Sequence, residues 1–192
     1  MQRGFSDREK EKIRTSLLQE CKESWTKHGY KKTSVDDLCK MVGISKGAFY
    51  LFFQSKEALF CEVLCSVQEE INDMVYEILE TNRGRQGVAE ALKATYREYD
   101  NNNFLYQSDS NDFTVLMNKV SEEQAKRIVA ATEKNKALFL DNPYLKFKVN
   151  PQIALSIIYS LIMTIKNKSV LPCNHLETFD FMVDHLIGDL YE

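Results

Sequence analysis

Apolar residues recur at spacings of three and four along most of the chain, and strand-like alternation is scarce, so the pattern predicts an all-α fold. Ile13, Leu17, Leu18, Cys21 and Trp25 mark a first helix from about Asp7 to Lys27, ending near Gly29. Val35, Leu38 and Cys39 mark a short second helix, with Thr33 as its N-cap and Asp36 three residues on in a capping-box arrangement. Gly43 supplies a tight turn, because only glycine enters positive φ without a Cβ penalty. Ile44 follows as a core anchor, and Ser45 caps a further short helix opening with Lys46, Gly47 and Ala48. Ser55 then starts a long helix to about Leu79, carrying Leu59, Phe60, Val63, Leu64, Val67, Ile71, Met74, Val75 and Ile78. At 1.5 Å per residue such a rod spans about 37 Å.

Asn82–Gly84 reads as a turn, followed by a helix over Gln86–Tyr99 and a polar loop through Asn101–Asn103. One or two short helices are predicted over Phe104–Tyr106 and Phe113–Val120. Ser121 and Gln124 form a capping-box start for a helix running to about Asp141, before Pro143. Asp109, Asn111 and Asp112 superficially resemble a calcium loop. The glycine and the terminal bidentate glutamate are missing, and a polar turn or helix cap is expected instead. Asn150 caps the penultimate helix, with Pro151 in its first turn and two apolar rows, Ile153-Ile157-Leu161-Ile165 and Ala154-Ile158-Ile162. Asn174 caps the last, where Leu176, Phe179, Val183, Leu186 and Leu190 recur at spacings of 3, 4, 3 and 4. This coiled-coil-like seam suits packing against a second copy or within the chain.

Helix, glycine turn and second helix over residues 33–50 are the layout of a helix-turn-helix, whose second helix enters the DNA major groove by its N-terminal end. Gly47 and Ala48 leave that end nearly bare. Ala48 suits contact with a thymine methyl, and Lys46 a guanine edge or a phosphate. Tyr50 and Lys56 are spaced for phosphates either side of the groove, where the N-terminus of the Ser55-capped helix adds partial positive charge. The same spacing also fits an ordinary helical hairpin with a surface lysine and a packing tyrosine.

Thr33-Ser34-Val35-Asp36-Asp37-Leu38, Val42-Gly43-Ile44-Ser45-Lys46-Gly47-Ala48-Phe49-Tyr50 and Phe53-Gln54-Ser55-Lys56-Glu57-Ala58-Leu59 resemble, in content and spacing, the DNA-binding region of the tetracycline-repressor (TetR) family of bacterial transcription regulators. The resemblance implies a three-helix DNA-binding domain over residues 1–55, with Thr33, Ser34, Ser45, Lys46, Gly47, Ala48, Tyr50 and Lys56 at the DNA. It also implies an effector-binding and dimerisation domain over 56–192. Trp25 and Tyr30 are expected to pack on the helix pair. The family pairs through its last two helices, which nominates Ile157, Leu161, Ile165, Leu176, Phe179, Val183, Leu186 and Leu190 as the interface of a homodimer. The expected function is a homodimeric repressor released from a palindromic operator by a small-molecule effector. The alternative is a DNA binder of the same fold controlled by a protein partner or by no ligand. The chain departs from the family at Leu51 and Phe52, where a polar or basic residue and then a histidine or tyrosine are usual. These two are expected to thicken the apolar joint with the long helix.

Charge agrees once it is divided. Residues 1–56 carry 12 Lys and Arg against 7 Asp and Glu, a balance of +5, while the remainder balances to −8. A basic end on an acidic body is the asymmetry of a protein that meets phosphates at one end only. Tyr96, Tyr99, Phe104, Tyr106, Phe113, Met117, Phe139, Tyr159 and Met163 are the aromatic or pliable groups available to line an effector pocket, or to serve as plain core. His28, His175 and His185 are isolated, with no ligand at metal spacing, and no nucleophile elbow or phosphate-binding glycine loop is present. Neither an enzyme, a cofactor nor a metal is expected. Five cysteines, an odd count, fit a reduced cytoplasmic chain. Cys61 and Cys65 stand one helical turn apart, as a thiol pair or as two small buried hydrophobes. The charged N-terminal stretch lacks a secretory pattern, and no run of eighteen apolar residues predicts a membrane span.

Overall fold

The computed structural model describes residues 5–107 and 110–192. Asp109, one member of the calcium-like triplet, lies outside the described residues. Helix α1 (Asp7–Lys32) begins in a complete capping box between Ser6 and Glu9, and at Gly29 (φ 81°, ψ 171°) it breaks before one last turn. Helix α2 (Val35–Val42) is capped by Ser34, whose hydroxyl accepts from the Asp37 N–H. The expected cap at Thr33 is therefore one residue early. Thr33 is buried, and its hydroxyl donates to the Gly29 carbonyl at 2.9 Å, closing α1. Gly43 (φ 76°) terminates α2 in the left-handed conformation. Helix α3 (Lys46–Phe49) follows under a Ser45 cap, then α4 (Lys56–Thr81), whose first turn Ser55 caps through the Ala58 N–H.

Helices α5 (Arg85–Asn101), α6 (Asn111–Met117), α7 (Glu122–Leu140), α8 (Pro151–Met163) and α9 (His175–Leu190) complete the chain, with 3₁₀ turns at Asn103–Leu105 and Thr164–Val170. Asn111 and Asp112 open α6 beneath a Ser110 cap, so the calcium-like residues that are described serve a helix start. Ser121 and Gln124 cap each other reciprocally before α7, and Asn150 and Asn174 cap α8 and α9. Among the described residues there is no strand, only an isolated antiparallel bridge between Phe147 and Tyr191.

The chain forms two compact units, one of residues 1–66 and 107–128 and the other of 67–106 and 129–192. This spatial division differs from the division at 55/56 expected from the sequence. Helices α4 and α7 each pass from one unit to the other.

In the first unit, Leu17, Cys21, Leu38, Phe49 and Leu59 are fully buried. The Phe60 ring of α4 takes Trp25 at 4.7 Å and Tyr30 edge-on at 5.0 Å, so these two aromatic residues fix α1 to α4. Arg14 pairs with Glu62, and its guanidinium lies 4.7 Å over the Phe53 ring. Burial of such side chains stabilises by roughly 1.5–3 kcal/mol each.

In the second unit, α5 packs along α9. Lys93 pairs with Asp184 at 2.5 Å and Arg97 with Asp180 at 2.6 Å. Between them Phe179, Val183 and Leu190 are buried, as is Ile165 after α8. This corrects the expectation for the seam on α9. Those four residues are the chain's own core, because α5 already covers them. On α8 and α9 the large apolar side chains left open are others: Ile153 at 54% exposure and Tyr159 on α8, and Phe181 at 64% and Leu186 on α9. Ile157 and Leu176 are half-buried, and Leu161 is nearly closed off. Pro151–Val170 is long and apolar enough, by length and composition, to cross a membrane, and 17% of its apolar window is buried in the chain.

Candidate nucleic-acid interface

The helix pair is locked from inside. Phe49 is fully buried, with Tyr50 edge-on to it at 5.3 Å and Phe53 at 5.9 Å. Anchoring α3 by that one ring turns Lys46, Gly47 and Tyr50 outward, Tyr50 at 52% exposure, while Ala48 is half-buried. The Gly43 N–H bonds back to the Lys40 and Cys39 carbonyls, and the Ile44 N–H reaches the Cys39 carbonyl at 2.9 Å. These bonds satisfy the end of α2 and set the angle at which α3 departs. Ile44, the expected core anchor, is half-buried.

The electrostatics of the face are local. Lys46 Nζ lies 3.0 Å from Asp36 Oδ2, and Lys40 Nζ 3.4 Å from Asp37 Oδ1. The Asp36 carboxylate holds the Lys46 ammonium pKa above its usual value. Both pairs are exposed and contribute little to stability. Each lysine is therefore free to exchange its carboxylate for a phosphate at small cost.

Lys56 does not share this face. Its ammonium donates to the Tyr30 carbonyl at 2.5 Å and sits 4.0 Å over the Tyr30 ring. Burial pushes its pKa down, and the charge of Lys119 adds to that. The expected phosphate contact from Lys56 is corrected on that ground: the charge is spent inside the unit. Leu51 and Phe52 also part company. Phe52 is half-buried with its ring 6.1 Å from Phe5, but Leu51 is 75% exposed and thickens no joint. Together with Phe5, Lys10 and Arg14 they border a groove of about 470 Å³.

The aromatic groups considered for an effector pocket fall in both units. Tyr96, Phe104, Tyr106 and Phe139 are buried in the second. There the Tyr99 hydroxyl is pushed up to about 12 by burial. Met163 is half-buried, and Tyr159 is exposed. Phe113 and Met117 belong to the first unit, on α6, which packs on α1. Along α8, Ile153, Ser156, Ile157, Ser160, Leu161 and Thr164 line an open groove of about 400 Å³. An open apolar residue on α9 that the sequence did not single out is Phe181, stacked on His185 at 4.0 Å. It lies off the 3-4-3-4 seam, so periodicity pointed away from it.

A helix-turn-helix on a three-helix platform, followed by a larger helical body, defines a class of DNA-binding protein. The family model described as bacterial regulatory proteins, tetR family, matches residues 17–63. Over those residues the chain is similar to that family. It is 34% identical over 64 residues to the HTH-type transcriptional regulator YhgD of Bacillus subtilis (strain 168), covering 33% of this chain and 34% of the relative. It is 42% identical over 57 residues to YuxN of the same organism, covering 30% of this chain and 19% of the relative. The matched part thus spans about a third or less of the length of these relatives. Among solved structures, a TetR/AcrR-family regulator from Thermobifida fusca superposes with a TM-score of 0.72 at 17% identity, over 92% of this chain and 97% of that one. FadR from Bacillus subtilis, in complex with stearoyl-CoA, superposes with a TM-score of 0.68 at 12% identity, over 91% and 98%. At such identities the likeness is one of fold.

Proposed function

We propose that the protein is a sequence-specific, DNA-binding transcription regulator: a cytoplasmic homodimer that represses from a palindromic operator and is released by a small molecule. The observation that carries the DNA reading is the presentation of Lys46, Gly47 and Tyr50 on the outer face of a Ser45-capped helix, held there by the buried Phe49. Ser34, at the head of α2, and Ala48 complete the proposed contact surface. The division of labour stays at 55/56, with effector binding and dimerisation in residues 56–192.

The open apolar faces of α8 and α9 support a dimer. Ile153, Ile157 and Phe181 need a cover, and a second copy supplies one that a lipid bilayer does not, since Lys166 and Lys168 stand in the same apolar segment. Two identical half-sites on duplex DNA call for a two-fold dimer, with recognition helices about 34–36 Å apart. A ligand in the second domain, among Tyr96, Tyr99, Phe104, Tyr106 and Phe139, has only to prefer a conformer of another spacing. A tenfold to hundredfold loss of operator affinity requires about 1.4–2.8 kcal/mol of such coupling.

Selection of bound duplexes from a random pool tests the reading. We expect enrichment of a two-fold symmetric site, with the preference shifted by Lys46→Ala and Ala48→Ser. A pool that enriches nothing, or the same site for all three proteins, would overturn the assignment of α3 as the reading helix.

A further inference from the structure

A helix broken at one residue leaves the next N–H groups without their carbonyls four residues back. Gly29 makes such a break, and the N–H groups of Tyr30 and Lys31 open the short turn that follows. One carboxylate, distant in sequence, satisfies both. Asp112, in the first turn of α6, accepts from the Tyr30 N–H with Oδ2 and from the Lys31 N–H with Oδ1, the latter at 3.1 Å. A carboxylate held by two amide donors is a charge-assisted, two-point contact, stronger than a neutral hydrogen bond and directional.

Gly29 is fitted to this contact in two ways. Its φ of 81° lies where side chains are disfavoured, and a Cβ there would stand 2.7 Å from Asp112 Oδ2. The same turn is held at its other edges. Lys56 donates to the Tyr30 carbonyl, the Tyr30 hydroxyl donates to Glu57 at 2.5 Å, and Thr33 donates to the Gly29 carbonyl. Ser34, the cap of α2, comes next. The turn from Gly29 to Thr33 therefore sets where and at what angle the helix-turn-helix begins. Asp112 arrives on residues 107–128, the stretch that packs with the first unit although the chain on either side of it belongs to the second.

We propose that Asp112 is a positioning residue for DNA reading: it clamps the Gly29–Thr33 hinge and so fixes the start of α2, making α6 the element that sets the geometry of the reading unit. The inference rests on the DNA-binding function proposed above. It is independent of any particular effector.

The test uses the full chain with Asp112→Ala and Asp112→Asn, read by amide hydrogen exchange and by affinity for duplexes that the wild-type chain enriches. In Asp112→Ala the Tyr30 and Lys31 amides are expected to exchange at least tenfold faster, and DNA affinity to fall at least tenfold. Amides of Leu59–Leu64 in α4 should keep their protection, which shows that the unit is folded. Asp112→Asn retains one acceptor oxygen and should restore part of both losses. If the alanine variant loses protection in α4, the asparagine variant carries the comparison. Unchanged exchange at Tyr30 and Lys31 in a folded variant overturns the clamp. Faster exchange with affinity within twofold of wild type overturns the positioning role. A wild-type chain that enriches no duplex sinks the DNA function and this role together, yet the exchange data still report on the clamp, so the two failures are distinguished.

Discussion

The Tyr96 ring lies flat on Phe179, with centroids 3.7 Å apart and planes 11° from parallel. This contact joins α5 to α9 within one chain and takes up the middle of the seam on α9. The Tyr96 hydroxyl ends 3.5 Å from Thr164 Oγ1, beside the close of α8.

Phe179 is therefore a folding residue. Phe179→Ala should destabilise the protein by about 3–5 kcal/mol, the usual cost of deleting a buried aromatic ring. Urea denaturation would show it as a lower midpoint at unchanged slope. A loss below about 1 kcal/mol would mean that the stack contributes little.

Assembly should respond to different residues. Ile157→Arg combined with Phe181→Glu places charges on faces open in the single chain, so the variant should stay helical and run as a monomer of 22.3 kDa. Val183→Glu should instead unfold the second unit, because an unpaired charge is buried there. Light scattering that reports a dimer for the double variant would refute the proposed interface.

The two lysines near the reading helix should separate in a salt titration. Lys46→Ala, removing one ammonium from the proposed DNA face, should flatten the plot of log affinity against log salt by about one unit of slope. Lys56→Ala should leave the slope unchanged and lower thermal stability, since its ammonium is bonded to Tyr30. Equal effects on slope would restore Lys56 to the DNA surface.

Stability should also depend on pH through Cys61. Its thiol titrates at about 7, drawn down first by a hydrogen bond from Cys65 and then by the charge of Arg127, with burial opposing. An acid whose folded pKa lies below its unfolded value of 9.0 stabilises the fold above that value, and the gain is lost as pH falls through about 7. Under reducing conditions the wild-type chain should therefore gain more stability between pH 7 and 9 than Cys61→Ser. Identical gains would show that the Cys61 thiolate does not form in the folded state.

The sequence by itself determined what local physics controls. Helix spans, the Gly43 turn, and the caps at Ser45, Ser55, Ser121, Asn150 and Asn174 follow from short-range hydrogen bonding and 3.6-residue periodicity. The residues of the helix-turn-helix were legible for the same reason: its function requires a fixed order of cap, turn and bare helix end within thirty residues. Tertiary structure decided which partner each face meets. A 3-4-3-4 row is equally apolar whether a second copy or α5 covers it, so the burial of Phe179 and Val183 was not written in their spacing. A lysine beside a DNA-reading helix looks the same outward or inward, and the Tyr30 ring and carbonyl settled Lys56. Asp112 read only as a helix start, because the two N–H groups it serves lie some eighty residues away and are freed by the backbone of Gly29.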